Sequence, residues 1–128
     1  MSYLEHVNVT VADPKVTAAL LSELFGWKTR WEGRAMDDGY TVHVGTQTSY
    51  VALYTGPNAG NGQTDADNSY LMRGGLNHLG VVVDDLDTVE AKIKAKGYKT
   101  HSHANYEPGR RFYFHEENGV EIEVITYA

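Results

Sequence analysis

The sequence of 128 residues contains no cysteine, only three prolines and no long apolar run. Without cysteine, disulfide bonds, thiolate metal ligands and cysteine nucleophiles are all excluded. No apolar stretch approaches the roughly 20 residues that a helix needs to cross a bilayer. Residues 1–6 also lack the basic and apolar regions of a secretory signal. We therefore predict a cytoplasmic protein that does not associate with membranes.

Positive charge is also scarce. The chain has 11 Lys and Arg against 17 Asp and Glu, which gives a formal net charge of −6. Proteins that bind nucleic acid need a basic face to neutralise phosphates, so nucleic acid is not an expected partner. The apolar content of 41% is enough for a globular fold. The expected partner is a small molecule.

The sequence repeats itself. The segment that begins at His6 (HVNVTVADP) returns 72 residues later at His78 (HLGVVVDDL). The tetrapeptide Gly-aromatic-Lys-Thr occurs at residues 26–29 and again at 97–100, an offset of 71. Internal similarity of this kind indicates two copies of one structural unit.

The repeat sets the predicted organisation. We predict a single domain over residues 1–128, with repeat one at 4–55, a linker at 56–74 and repeat two at 75–127. The linker is rich in Gly, Asn, Asp and Gln and is predicted as a loop, although Tyr70 and its apolar neighbours should pack down in part. Two interpretations of this linker remain: an exposed connector, or a lid over a pocket.

Each repeat is predicted to be β-α-β-β-β. Asp13 and Asp85 are placed to cap the two helices, with Pro14 at the first helical position and Gly26 and Gly97 at the ends. Val16, Leu20 and Leu24 are the expected buried stripe of the first helix, with Leu21 and Phe25 beside them. Strands are predicted near residues 4–11, 27–32, 39–44 and 49–55, then in the segment from His78 and near 98–103, 110–115 and 120–126.

Strand alternation sorts the side chains onto two faces. The apolar set packs on the helix, so His6, His78 and Glu123 point to the opposite face. The same face also receives Glu121, Arg111, Tyr113 and His115. A lone strand histidine is usually a surface or core residue, but two histidines at equivalent positions of two repeats favour a shared role. Whether Val42 or His43 is the equivalent of Tyr113 stays open, because repeat offset and alternation disagree.

Three segments of the chain resemble a known family. Residues 4–13 (LEHVNVTVAD), 75–86 (GLNHLGVVVDDL) and 117–124 (ENGVEIEV) are similar to the landmarks of the vicinal oxygen chelate superfamily. That superfamily includes glyoxalase I, bleomycin-resistance proteins, fosfomycin-modifying enzymes and extradiol dioxygenases. The resemblance implies an α+β fold in which two βαβββ repeats form a curled mixed sheet around a central cup. It also implies a homodimer.

The resemblance implies a metal site. The family's ligand positions fall on His6, His78 and Glu123, and the fourth falls on Ala52, which cannot bind a metal. The implied cofactor is one divalent ion, which can be Fe, Mn, Zn, Ni or Co. Two histidines and one carboxylate leave coordination positions open for substrate.

The resemblance also suggests catalytic residues. Residues 112–123 are similar to the extradiol dioxygenase signature, in which Tyr113 matches the active-site tyrosine and His101 or His103 supplies an upstream histidine. With Glu121, these are the candidate groups for moving protons. The candidate substrate-binding residues are Arg111, Tyr50, Tyr54 and His115.

Two functions remain in competition at this point. The first is a metal-dependent enzyme, a lyase, isomerase or extradiol-type dioxygenase, whose small substrate chelates the metal through vicinal oxygens. The second is a metal-free small-molecule binding protein of the bleomycin-resistance kind.

Overall fold

The computed structural model describes residues 1–57 and 66–128, so residues 58–65 of the predicted linker lie outside the described part. The chain divides into two compact units, Met1–Gln63 (unit 1) and Thr64–Ala128 (unit 2). Within the described residues, no helix has the length and apolar character that a membrane crossing requires.

The two units have the same order of elements. Unit 1 contains β1 (His6–Thr10), α1 (Pro14–Phe25), β2 (Lys28–Arg34), β3 (Tyr40–Gly45) and β4 (Tyr50–Tyr54). Unit 2 contains β5 (His78–Val82), α2 (Leu86–Ala95), β6 (Thr100–Tyr106), β7 (Gly109–His115) and β8 (Glu121–Thr126). The predicted pair of βαβββ modules is therefore confirmed.

Each unit forms a four-stranded mixed sheet. The strand order is β1-β4-β3-β2 in unit 1 and β5-β8-β7-β6 in unit 2. The first and last strands of each unit pair in parallel, and the other pairs are antiparallel. A parallel pair needs a long crossover, which the helix and the two intervening strands supply.

The helix ends follow the sequence signals. The Asp13 side chain accepts hydrogen bonds from the backbone N–H groups of Lys15 and Val16, and Pro14 occupies the first turn. Gly26 ends α1 with a left-handed φ of 73°, a conformation that glycine adopts without steric cost. In α2, Asp85 accepts from both the backbone and the hydroxyl of Thr88.

The buried face of α1 agrees with the prediction at Leu21 and Leu24 but not at Val16. Val16 is 49% exposed, whereas Leu21 and Leu24 are nearly fully buried. Thr17 and Ala18 share that buried face.

Two short 3-10 helices were not predicted. The first is Met36–Asp38, and the second, Ala66–Leu71, lies in the segment predicted as a loop. Each is held by a tyrosine hydroxyl: Tyr54 donates to the carbonyl of Met36 at 2.7 Å, and Tyr70 bonds to His78 at 3.0 Å. Side-chain contacts of this kind have no signature in local sequence periodicity.

The cores confirm the alternation. In unit 2, Phe112, Phe114 and Ile122 are at most 1% exposed, and Val124 and Ile93 of α2 are fully buried with them. The side chains between them on β7 and β8 point to the opposite face. That face carries the candidate functional residues.

The Asp13 cap provides a test of this account. Asp13→Ala should lower the free energy of unfolding by about 1 kcal/mol, because two helical N–H groups lose their acceptor. Asp13→Ser should change the free energy by only a few tenths of a kcal/mol, because serine is an equally good cap. Urea denaturation followed by circular dichroism measures both. Equal losses in the two variants would contradict the capping role.

Candidate functional site

The polar face of unit 2 is built by strand register. Glu123 on β8 lies between Gly80 of β5 and Tyr113 of β7, and Glu121 lies between His78 and His115. Because these residues pair directly across neighbouring strands, their side chains rise from the same face of the sheet.

His78 and Glu123 form the centre of this face. His78 Nε2 lies 3.0 Å from Glu123 Oε1; the Glu123 side chain is 12% exposed, whereas that of His78 is 29% exposed. Two atoms that bind one ion at about 2.1 Å are separated by about 3.0 Å at a right angle. The pair therefore has the spacing of two metal ligands.

The remaining ring nitrogen of His78 and the remaining carboxylate oxygen of Glu123 also have partners. The Tyr70 hydroxyl lies 3.0 Å from His78 Nδ1, and Arg111 Nη1 donates to Glu123 Oε2 at 3.0 Å. Partners of this type hold a ligand's ring or carboxylate in one orientation. The donor set and its outer partners fit a divalent metal, which His78 Nε2 and Glu123 Oε1 would bind in place of their contact with each other.

Tyr70 is a site residue that the sequence analysis did not identify. Its hydroxyl also hydrogen-bonds to Glu121. This bond, followed by burial, raises the pKa of Tyr70 to about 12, so the phenol keeps its proton at neutral pH. The only sequence signal was the apolar interruption of the polar connector at residues 70–72.

Arg111 contains unused hydrogen-bond donors. Its guanidinium lies 5.0 Å from the centre of the Tyr106 ring, a cation–π contact. Nε and Nη2 are buried and have no partner among the described residues. A buried donor without a partner costs about 1–3 kcal/mol, so these two atoms mark a position where an acceptor would be stabilised.

Tyr113 lies beside the central pair. Burial raises the pKa of Tyr113, and the charge of Glu123 and a hydrogen bond to it act in the same direction. Its ring also meets His78 edge-on, with centroids 5.3 Å apart. Tyr113 is therefore a protonated phenol at neutral pH, next to the candidate metal ligands.

The other predicted catalytic residues are not all brought together. Ser102 has a left-handed φ of 57°, and the β6–β7 register shifts between His101 and Ala104. His103 consequently lies against α2, with Nε2 2.6 Å from Glu90 Oε2. His101 stays on the polar face, where its ring stacks on that of His115.

In unit 1, the equivalent face is aromatic. The Tyr50 ring stacks on His6 and on His43, with centroid distances of 4.9 and 4.6 Å. Arg30, which the sequence analysis did not select, lies 4.5 Å from the centre of the same ring. His6 Nδ1 contacts Glu5 Oε1 at 2.9 Å. Tyr54 instead directs its hydroxyl to Met36.

The strand register of unit 1 also decides whether Val42 or His43 is the equivalent of Tyr113. Ala52 pairs with Asn8 and His43, just as Glu123 pairs with Gly80 and Tyr113. His43 is therefore the equivalent of Tyr113, and Val42 is buried on the helix side. Burial is the main cause that lowers the pKa of His43, with the charges of His6 and Arg30 adding to it.

Solved structures share this architecture. A glyoxylase/bleomycin resistance protein/dioxygenase domain from Frankia sp. EAN1pec is 22% identical, with a TM-score of 0.78 over 98% of this chain and 92% of that one. TnmS3, an antibiotic binding protein from Streptomyces sp. CB03234, is 18% identical, with a TM-score of 0.70 over 100% and 98%. The trypanothione-dependent glyoxalase I of Leishmania major is 14% identical, with a TM-score of 0.77 over 99% and 88%.

The sequence itself supports the same assignment. A comparison with curated proteins finds no match. The model of the glyoxalase/bleomycin resistance protein/dioxygenase superfamily, however, matches residues 3–124, nearly the whole chain. This match and the two βαβββ modules show that the chain belongs to the glyoxalase/bleomycin resistance protein/dioxygenase superfamily.

Proposed function

We propose that this protein is a metal-dependent enzyme that acts on a small substrate with vicinal oxygens, and that His6, His78 and Glu123 hold its divalent ion. The observation that carries the proposal is the 3.0 Å approach of His78 Nε2 to Glu123 Oε1, with Tyr70 and Arg111 fixing their far sides. His6 enters as the repeat equivalent of His78. Ala52, the equivalent of Glu123, offers no ligand atom and leaves that coordination position to substrate or water.

The donor set limits the metal. Imidazole nitrogen and carboxylate oxygen suit Fe, Mn, Zn, Ni and Co ions. When bound, such an ion supplies Lewis-acid stabilisation of negative charge on the substrate oxygens. Three protein ligands are fewer than a structural zinc site uses, which is typical of catalytic sites.

Three residues have roles in this proposal that follow from their surroundings. Tyr113, kept protonated by burial, is the proton donor to the substrate. The unpaired Nε and Nη2 donors of Arg111 would bind an anionic or carbonyl oxygen of the substrate. Glu121, which accepts a hydrogen bond from Tyr70, helps to hold the Tyr70 hydroxyl beside His78. The His101 ring stacks on that of Tyr113, with centroids 6.1 Å apart.

A second function is favoured by a different observation. Arg111 forms an ion pair with Glu123, which neutralises the carboxylate without any metal. The aromatic stack of His6, Tyr50 and His43 would suit a flat ligand. TnmS3, an antibiotic binding protein, has a similar fold. The competing proposal is therefore metal-free sequestration of a small molecule.

Loss of one ligand should distinguish the two functions. His6→Ala, His78→Ala and Glu123→Ala should each bind one Zn²⁺ ion per chain fewer than the parent protein, because two ligands rarely hold an ion tightly. His103→Ala is the matched control, since His103 contacts Glu90 rather than this site. Isothermal titration with zinc chloride gives the stoichiometry. Unchanged stoichiometry and affinity in the His78 and Glu123 variants would exclude the metal site.

Turnover is tested with the reconstituted protein. Fe²⁺-loaded protein is assayed for oxygen uptake with catechols, and Mn²⁺-, Ni²⁺- and Zn²⁺-loaded protein with thiol hemiacetals and fosfomycin. Tyr113→Phe should lower kcat by about 100-fold or more with little change in KM, because a proton donor acts in the transition state. Tyr106→Phe, which keeps the ring beneath Arg111, should be nearly neutral. If ligands bind tightly to metal-free protein and none is turned over, the binding function is correct.

A homodimer is the proposed assembly. The outer strands of each sheet have edges that can pair with another chain. Several exposed apolar side chains would also be removed from water in a dimer. These include Tyr3, Leu4, Leu76 and Val82. Light scattering at micromolar concentration should give about twice the chain mass of 14.2 kDa. A monomer mass at that concentration would contradict the proposal.

A further inference from the structure

A second group of metal-ligating side chains lies within unit 2, beside the His78–Glu123 pair. His101 on β6, His115 on β7 and Glu121 on β8 share the polar face of the sheet. Each offers a ligand atom, and the three atoms lie within 4.8 Å of one another. The group contains neither His78 nor Glu123, and it takes nothing from unit 1.

His115 lies in contact with both of the other side chains. His101 Nε2 lies 3.3 Å from His115 Nδ1, and His115 Nε2 lies 3.3 Å from Glu121 Oε2. Two ligands bound at about 2.0–2.1 Å to a tetrahedral ion are separated by about 3.3 Å. Because the two contacts involve different nitrogens of His115, a small rotation of the His115 ring or of the Glu121 carboxylate is needed before all three side chains bind one ion. The ligand atoms, which lie within 4.8 Å of one another, would then approach by about 1.5 Å.

Two of these side chains already have an outer partner. The Ser102 hydroxyl lies 2.9 Å from His101 Nδ1, which leaves Nε2 directed at His115. The Tyr70 hydroxyl hydrogen-bonds to Glu121. Metal-binding histidines and carboxylates typically have such a partner, which fixes the ring and the ligand atom.

The backbone next to His101 has an unusual conformation. Ser102 has a left-handed φ of 57°, a conformation that residues with a side chain rarely adopt. This conformation sends His103 to the helix side while His101 remains above the sheet. Strain of this kind persists at positions where function requires the geometry.

The fold itself does not require these three residues. In unit 1, the same register positions are occupied by Trp31, which pairs with His43, and by Gly45, which pairs with Tyr50. None of Trp31, Gly45 and Tyr50 is a histidine or carboxylate. If the histidines and Glu121 served only to hold a βαβββ unit together, the other unit would need similar groups.

We propose that His101, His115 and Glu121 form a second transition-metal site, open to solvent on one side and contained entirely in unit 2. Its ligands, two imidazoles and one carboxylate, suit Zn²⁺ or a neighbouring first-row ion. Three protein ligands leave a coordination position for water or an anion. This site does not depend on the proposed metal at His6, His78 and Glu123.

The test uses Zn²⁺ and Co²⁺ with the full chain. In isothermal titrations with zinc chloride, His101→Ala and His115→Ala should each bind one ion per chain fewer than the parent. Affinity at the lost position should fall by more than about 100-fold, since even outer partners of a ligand contribute about 10- to 100-fold. His103→Ala, on the same strand but bound to Glu90, should behave as the parent. Circular dichroism confirms that each variant is folded.

Further variants separate this site from the proposed function. His78→Ala should retain the second ion, and Co²⁺ should give it a visible absorption band that is absent in the double variant His78→Ala, His115→Ala. Glu121→Gln should weaken the same band without loss of fold. The second site is excluded if His115→Ala binds Zn²⁺ as the parent does, or if His103→Ala loses the same ion. If instead the proposed site at His6, His78 and Glu123 is absent, His78→Ala should bind as many Zn²⁺ ions per chain as the parent protein.

Discussion

The parallel pairing of the first and last strands in each unit is the constraint on which the site depends. In unit 2, β5 and β8 are separated by α2, β6 and β7 in sequence, yet they are hydrogen-bonded neighbours. This pairing brings His78, at the beginning of the unit, beside Glu121 and Glu123, near its end. A shift of one residue would turn these carboxylates to the helix side and expose Ile122 and Val124. Burial of the core therefore fixes the chemistry of the opposite face.

The polar face of unit 2 compensates its negative charge in two ways. Glu123 already pairs with Arg111 through one oxygen and approaches His78 through the other. Glu121 contacts His115 and receives a hydrogen bond from Tyr70. Carboxylates in this setting would be costly to bury without partners. Each carboxylate oxygen therefore has a partner without an ion, and a bound ion would replace the contacts that His78 and His115 make with the two carboxylates.

The two units use one framework for different surfaces. Where unit 2 has histidines and glutamates, unit 1 has an aromatic stack of His6, Tyr50 and His43, with Arg30 over Tyr50. The cores of the two units are more alike than their polar faces: Val42 and Val44 are buried at positions equivalent to those of Phe112 and Phe114. Side chains on the polar face do not contribute to either core, so the two units can differ there without loss of the fold.

The sequence by itself determined the modules, the helix caps at Asp13 and Asp85, and the face on which His78 and Glu123 lie. These features depend on local signals: repeat spacing, capping residues and the two-residue period of a strand. Only the tertiary structure decided that Tyr70 reaches His78 and Glu121, and that His103 leaves the polar face. The first depends on contacts between residues distant in the chain. The second depends on a left-handed backbone at Ser102, which interrupts the alternation that the sequence alone would extend through β6.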